Sequence, residues 1–253
     1  MRPPATRPAS AAIPAKHAPV RPPEHPLTPL WRWAEAAEKR IERVNDYSCT
    51  FIKRERVGRE LLEPQTMFAK VRHRPFSVYL YFQGPKNLKG QEAIYVEGRN
   101  NGDLKGHGVG LRAVLGTMSL KPTGMLAMQG NRYPITEMGL LNLHRHLLRL
   151  VRNDLQYGES EVTFYKDAQV NGRLCNCVQV VHPVRRREFR YHVVRVYIDQ
   201  KLNLAIRFEG HDWPSQAGGA PQLLEEYTCA NIRFNNGFTD RDFDTANPNY
   251  GFR

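Results

Sequence analysis

Phe76, Val78, Leu80 and Phe82 alternate with Ser77, Tyr79, Tyr81 and Gln83, and Gly84-Pro85 stops the pattern. A period of two belongs to a β-strand with one covered face. The same period returns along most of the chain. Tyr47, Cys49 and Phe51 share one face against Ser48, Thr50 and Arg54. Met67, Ala69 and Val71 oppose Lys70, Arg72 and Arg74, and Leu204, Ile206 and Phe208 oppose Ala205, Arg207 and Glu209. Turn signals at Val57-Gly58-Arg59-Glu60, Asn100-Asn101-Gly102-Asp103 and Asn171-Gly172 join such segments as hairpins. Strands joined in this way pair antiparallel.

Two segments break the period. Thr28-Pro29 suits a helix start, and Leu30, Ala34, Ala37, Ile41 and Val44 then recur at steps of four and three. Trp31 and Trp33 lie off that stripe, so this helix packs on more than one side. Thr136 opens a second helix over residues 137–153, with Leu140, Leu143, Leu147, Leu150 and Val151 inward and Asn142, Arg145, Arg149 and Arg152 outward. Residues 108–134 are rich in Gly, Met and Leu without a period and are expected to form a long loop, the kind that often acts as a lid. One sheet of about ten strands curls, splits or closes. The expected fold is therefore α+β: a strongly curved antiparallel β half-barrel of about ten strands, with two main helices and the long loop covering the concave face.

Residues 1–27 read as a disordered, proline-rich tail, and residues 28–253 as a single domain. The first 29 residues hold nine of the 18 prolines and have no continuous apolar stretch, so no signal peptide is visible and a cytoplasmic location stays open. No segment approaches the ~20 apolar residues of a membrane-spanning helix. Lys and Arg exceed Asp and Glu to give a net charge of +12. That balance favours anionic partners such as a membrane surface, an acidic protein or polymer, or nucleic acid. The aromatic-basic surface of Tyr79 and Tyr81 beside Lys70–Arg74 could stack bases, but no nucleic-acid module motif accompanies it, so no specific nucleic acid is expected.

Motifs for chemistry are scarce. Gly108-Val109-Gly110-Leu111-Arg112-Ala113 matches a dinucleotide pattern but lacks the preceding strand and parallel context, so no cofactor is expected. His144 and His146 point to opposite sides of a helix, one toward the core edge and one toward solvent, and cannot share a metal. Asp240, Asp242 and Asp244 lack the glycine and distal Glu of a calcium loop, so an ordered C-terminal extension is expected there and no metal. Four cysteines, Cys49, Cys175, Cys177 and Cys229, permit disulfides without requiring them. A bridge from Cys175 or Cys177 to Cys229 or Cys49 is one option, and buried free thiols are the other. No nucleophile sits in an activating context, and no enzyme is expected.

Four strings are distinctive: residues 46–51 (DYSCTF) followed by 53–56 (KRER), residues 70–79 (KVRHRPFSVY), residues 124–136 (GMLAMQGNRYPIT), and Asp242-Phe243-Asp244 with Asn247-Pro248. They resemble the bacterial family known as domain of unknown function 1571, which carries no assigned active site. The order of elements is also similar to that of the lipoprotein-carrier superfamily of LolA, LolB and RseB. That second resemblance implies an apolar hollow under the helices, a lipid or lipoprotein acyl chain as ligand, and a periplasmic or otherwise extracytoplasmic place of work. The expected lining is Met67, Val71, Phe76, Val78 and Leu80, with Met118, Met125 and Met128 as a deformable cover. The competing expectation is an interaction module with a filled core, whose basic surface binds an acidic protein, polymer or nucleic acid.

Overall fold

The computed structural model describes residues 24–216 and 218–252. The tail expected over residues 1–27 falls largely outside them. Its last residues are docked, however: Leu27 is fully buried, and a His25 ring nitrogen lies 2.8 Å from the Tyr157 carbonyl oxygen. The domain thus takes hold of the chain before the first helix begins.

Helix α1 (Thr28–Ile41) leads into β1 (Asp46–Val57), β2 (Glu60–Leu61), β3 (Gln65–His73), β4 (Phe76–Gly84), β5 (Glu92–Val96), β6 (Leu104–His107) and β7 (Thr117–Leu120). A one-turn helix, α2 (Met125–Met128), and then α3 (Leu140–Asp154) follow. The chain returns through β8 (Glu161–Val170), β9 (Arg173–Val181), β10 (Val193–Asp199), β11 (Ala205–Asp212) and β12 (Gln222–Phe234). All twelve strands lie in one curved antiparallel sheet of order β7-β6-β5-β4-β3-β1-β12-β11-β10-β9-β8, with β2 attached to β1. The α+β half-barrel is present with two strands more than expected. The extra ones, β2 and β7, are two and four residues long, too short to set up a readable period.

The two long helices pack together against the concave face. Leu30 of α1 and Leu147 and Val151 of α3 bury with Val178, Val180, Val194, Val196 and Phe208 of the C-terminal strands. Ala37, Ile41 and Leu140 bury with Tyr47, Ala69, Val71 and Val78 of the N-terminal ones. Arg145 ties the helices at the surface, donating to Glu38 at 3.1 Å and Glu42 at 2.9 Å.

Helix α3 starts three residues later than the capping threonine suggests. The cause is Gly139, at φ 105°, where an added Cβ would sit 2.8 Å from the Tyr47 hydroxyl. That close approach lets the Leu140 N–H donate to Tyr47 Oη at 2.7 Å, so a phenol from β1 caps the helix. Thr136 lies instead in a short 3₁₀ turn, Ile135–Glu137.

The convex face is covered by the C-terminal segment. Asp46 accepts the backbone N–H groups of Asn236, Gly237 and Phe238 at 2.6–3.1 Å and turns the chain back over β3 and β4. Tyr250 then stacks on Tyr79 with ring centroids 4.0 Å apart. Asp242 binds Lys70 at 2.7 Å, and Asp240 binds Arg72 at 2.9 Å and Arg99 at 2.5 Å. The aromatic-basic surface that could have stacked bases is therefore occupied by the protein itself, and Asp240 and Asp242 neutralise its cations.

Candidate functional site

The inner face of β1 runs Tyr47, Cys49, Phe51, Lys53, Glu55, from apolar to charged. On β12 the inward residues are Cys229, Tyr227 and Glu225, and the register sets Phe51 opposite Cys229, Lys53 opposite Tyr227 and Glu55 opposite Glu225. The hollow side of the sheet thus has an apolar stretch that ends in a band of buried charge.

A cavity of about 640 Å³ lies over this floor. Phe51, Met67, Leu80, Phe82, Ala93 and Leu104 form its floor, from β1 and β3–β6. The sheet wall continues through Met118, which lies on the edge strand β7 opposite Gly106 and not on a covering loop; the cover is Leu115, Leu126 of α2, Ile135 and Met138 just before α3, and Leu143 within it. Of the expected lining, Met67, Leu80 and Met118 come together here. Val71 and Val78, 1% and 0% exposed, are covered by the first turn of α3 and belong to the filled core. Phe76 packs against that core beside Tyr95. Met125 faces outward at 89% exposure, and Met128 is half-buried; neither lines the hollow, although their neighbours Leu126 and Ala127 do. The division follows the course of α3, which fills one end of the hollow and leaves the other open.

The charged end is a closed hydrogen-bond network. Glu55 accepts from Lys53 Nζ at 3.0 Å, the Arg132 N–H at 3.1 Å and the Tyr227 hydroxyl at 2.5 Å. Glu225 accepts from Arg132 Nε at 2.6 Å, from Tyr133 Oη at 2.8 Å and from Tyr191 Oη. Asn131 accepts from Lys53, and Arg190 donates to Tyr133. Burial and the Glu225 carboxylate push the Tyr133 phenol up to about 12 and raise Tyr191 far above the ordinary phenol range. Burial disfavours the Arg132 charge, and Glu225 more than offsets it, so its pKa stands above the usual value. All three phenols remain protonated donors at neutral pH.

His146 lines the cavity rather than pointing to solvent, with its ring 5.8 Å from Phe208. Burial, helped by Arg190 and Arg149, lowers its pKa to about 4. His144 is fully buried, with Nδ1 2.7 Å from the Leu140 carbonyl oxygen and Nε2 accepting the Ala205 N–H at 3.1 Å. Sequence reasoning missed this polar band. The available signal was the continuation of the β1 alternation into Lys53 and Glu55, which puts ionisable groups at inward positions.

All four cysteines are buried free thiols. Cys49 and Cys229 are neighbours on the paired strands β1 and β12, and the adjacent Cys229 thiol together with burial raises the Cys49 pKa. Cys175 and Cys177 lie on β9, three strands away from β12. At ~4.8 Å per strand spacing both lie beyond disulfide reach of Cys229 and, one strand further on, of Cys49, so none of the expected bridges forms. Among the described residues no group of three or more His, Cys, Asp or Glu side chains is placed to hold a metal ion, and no helix is long and apolar enough to cross a membrane.

Residues 44–252 match the family described as protein of unknown function (DUF1571). The chain belongs to this family. No curated protein matches this DUF1571 chain. Solved structures with a similar course of the chain include the Mycobacterium tuberculosis lipoprotein LppX, with 12% identity and a TM-score of 0.47 over 85% of this chain and 98% of that one. The Pseudomonas aeruginosa MucA/MucB complex gives 15% identity and a TM-score of 0.46 over 86% and 61%. A LolA superfamily protein from Nitrosomonas europaea gives 10% identity and a TM-score of 0.35 over 84% and 96%.

Proposed function

We propose that this DUF1571 protein is a non-enzymatic binding protein that holds a lipid or lipoprotein acyl chain in the hollow of its sheet, as a carrier or a sensor. The observation that carries the reading is the open cavity of about 640 Å³ between the apolar strand floor and the α2–α3 cover. That size falls in the ~300–1,000 Å³ range of small-molecule sites. Its polar end supports the same reading. The donors and acceptors of Lys53, Glu55, Arg132 and Glu225 are engaged with one another. Affinity must then come from the apolar part of a ligand, at roughly 0.8 kcal/mol per buried methylene. An interaction module with a filled core would have no use for the hollow. With the carrier reading goes a periplasmic or otherwise extracytoplasmic place of work, which fractionation of cells making the full gene product tests.

The test is uptake of a fluorescent fatty acid by the purified protein, together with native mass spectrometry for lipid that copurifies. Leu80→Trp and Met118→Trp, which fill the hollow, are expected to weaken uptake by about tenfold or more while circular dichroism stays unchanged. A wild-type protein that takes up no probe and carries no lipid overturns the proposal.

A further inference from the structure

Apolar side chains that point into water are concentrated beside the cavity. Leu111, Val114 and Met125 are 93%, 85% and 89% exposed, the three highest values among the large hydrophobic residues described. Leu115 and Leu126 follow at 66% each. All five lie on two short segments, the 3₁₀ turn Gly110–Leu115 and α2. Both segments reach the hollow, because Leu115 and Leu126 also line it. The exposed apolar surface is thus continuous with the cavity wall. Contiguous apolar exposure of this kind marks a binding surface.

The charge of the same stretch selects the partner. Residues 104–136 contain Lys105, Arg112, Lys121 and Arg132 and not one Asp or Glu. Arg132 is spent inside on Glu225. By sequence that leaves Lys105, Arg112 and Lys121 on the stretch that carries the greasy tips, with the nearest acids along the chain at its two borders, Asp103 and Glu137. Some surface cations elsewhere are held in ion pairs, as with Arg145 on Glu38 and Glu42 and Arg186 on Glu159. Apolar tips in an acid-free basic stretch match the interface of an anionic bilayer, where side chains enter the acyl boundary and lysines meet lipid phosphates.

We infer that the Gly110–Leu115 turn and α2 are a pair of lips that dock on the surface of an anionic membrane and place the cavity mouth against the lipid. This inference rests on the acyl-chain reading for its purpose, since a mouth set against a leaflet lets a chain pass from bilayer to hollow without crossing water. The surface itself is defined independently of what the hollow holds.

The experiment is sedimentation of the full chain with vesicles of equal parts phosphatidylcholine and phosphatidylglycerol, and with vesicles of phosphatidylcholine alone. Uptake of a monomeric fluorescent fatty acid in vesicle-free buffer is measured in parallel. The expected result is binding to the anionic vesicles, weakened about tenfold or more by the triple substitution Leu111→Ser, Val114→Ser, Met125→Ser, and also by Lys105→Glu with Lys121→Glu. The serine variant alters only exposed side chains and is expected to keep its fold and its fatty-acid uptake. A wild-type protein that takes up fatty acid but ignores anionic vesicles overturns the docking surface and leaves the acyl-chain reading in place. Vesicle binding untouched by the serine variant overturns it as well. Vesicle binding that the serine variant abolishes, in a protein that takes up no fatty acid, supports the lips and removes the acyl-chain reading instead.

Discussion

Glu55 and Glu225 stand directly opposite each other across the β1–β12 pair, 4% and 0% exposed. Two buried carboxylates in register repel, and the arrangement survives because each has its own cation and its own phenols. Lys53 serves Glu55 and Arg132 serves Glu225, while the Arg132 backbone N–H also reaches Glu55. Glu225→Ala leaves Arg132 facing unpaired phenols and is expected to destabilise the fold by about 3 kcal/mol, read as a lower urea midpoint. Replacing Arg132 with Met is expected to cost a similar amount, because the buried carboxylate then loses its counter-charge. A double variant close to either single variant would show that the two act as a unit.

The buried histidines make stability depend on pH. In the unfolded chain both titrate near 6.5, whereas in the fold His144 and His146 are held near 4 by burial. A depressed folded pKa means that stability is complete above about pH 6.5 and is lost as pH falls toward 4. His144 alone contributes about 3 kcal/mol to that loss. The urea midpoint is expected to fall steeply between these limits and to flatten in a His144→Gln variant. An unchanged slope in that variant would contradict the assignment.

Gly139 and Tyr47 are locked together. Gly139→Ala places a methyl against the phenol oxygen at a positive φ and is expected to cost about 2 kcal/mol or more. Tyr47→Phe keeps the ring but strands the Leu140 N–H, for about 1–2 kcal/mol. The two losses are expected not to add, which thermal unfolding of the double variant checks.

Asp46 and Tyr250 are two of the anchors of the C-terminal segment, beside the ion pairs of Asp240 and Asp242 and the buried Phe243 and Phe252. Asp46→Ala frees three backbone donors and is expected to loosen residues 235–252, seen as faster amide exchange there while β1 stays protected. Tyr250→Ala is expected to expose Tyr79 and Tyr81 and so to raise their reactivity toward a phenol-modifying reagent.

Much of the sheet could be read from alternation, since strands such as Gln65–His73 bury every second residue, Met67, Ala69 and Val71, and carry a clean period of two. What escaped was short or depended on distant residues. The four residues of β7 sit in a Gly-rich stretch with no flanking pattern. The start of α3 is set by Tyr47, about ninety residues earlier in the chain, and the local capping signal at Thr136 loses to that contact. Met67 and Leu80 line the hollow while Val71 and Val78, on the same faces of the same strands, do not. The sequence marks all four as inward, and only the path of α3 decides which are covered. The charged band was visible in principle as Lys53 and Glu55 at inward positions, but their partners Arg132, Tyr133 and Glu225 lie on other elements.

The strand order has a consequence for how the protein is made. β1, the first of the twelve strands in chain order, has β12, the last of them, as a neighbour, and the other ten are spelled out between them. Long-range pairing of this kind slows folding. Until residues 222–234 have emerged, Glu55 has neither its Tyr227 phenol nor the facing strand edge. A chain stopped before Gln222 is therefore two half-sheets without a seam, and the charged end of the hollow closes only when β12 has joined them.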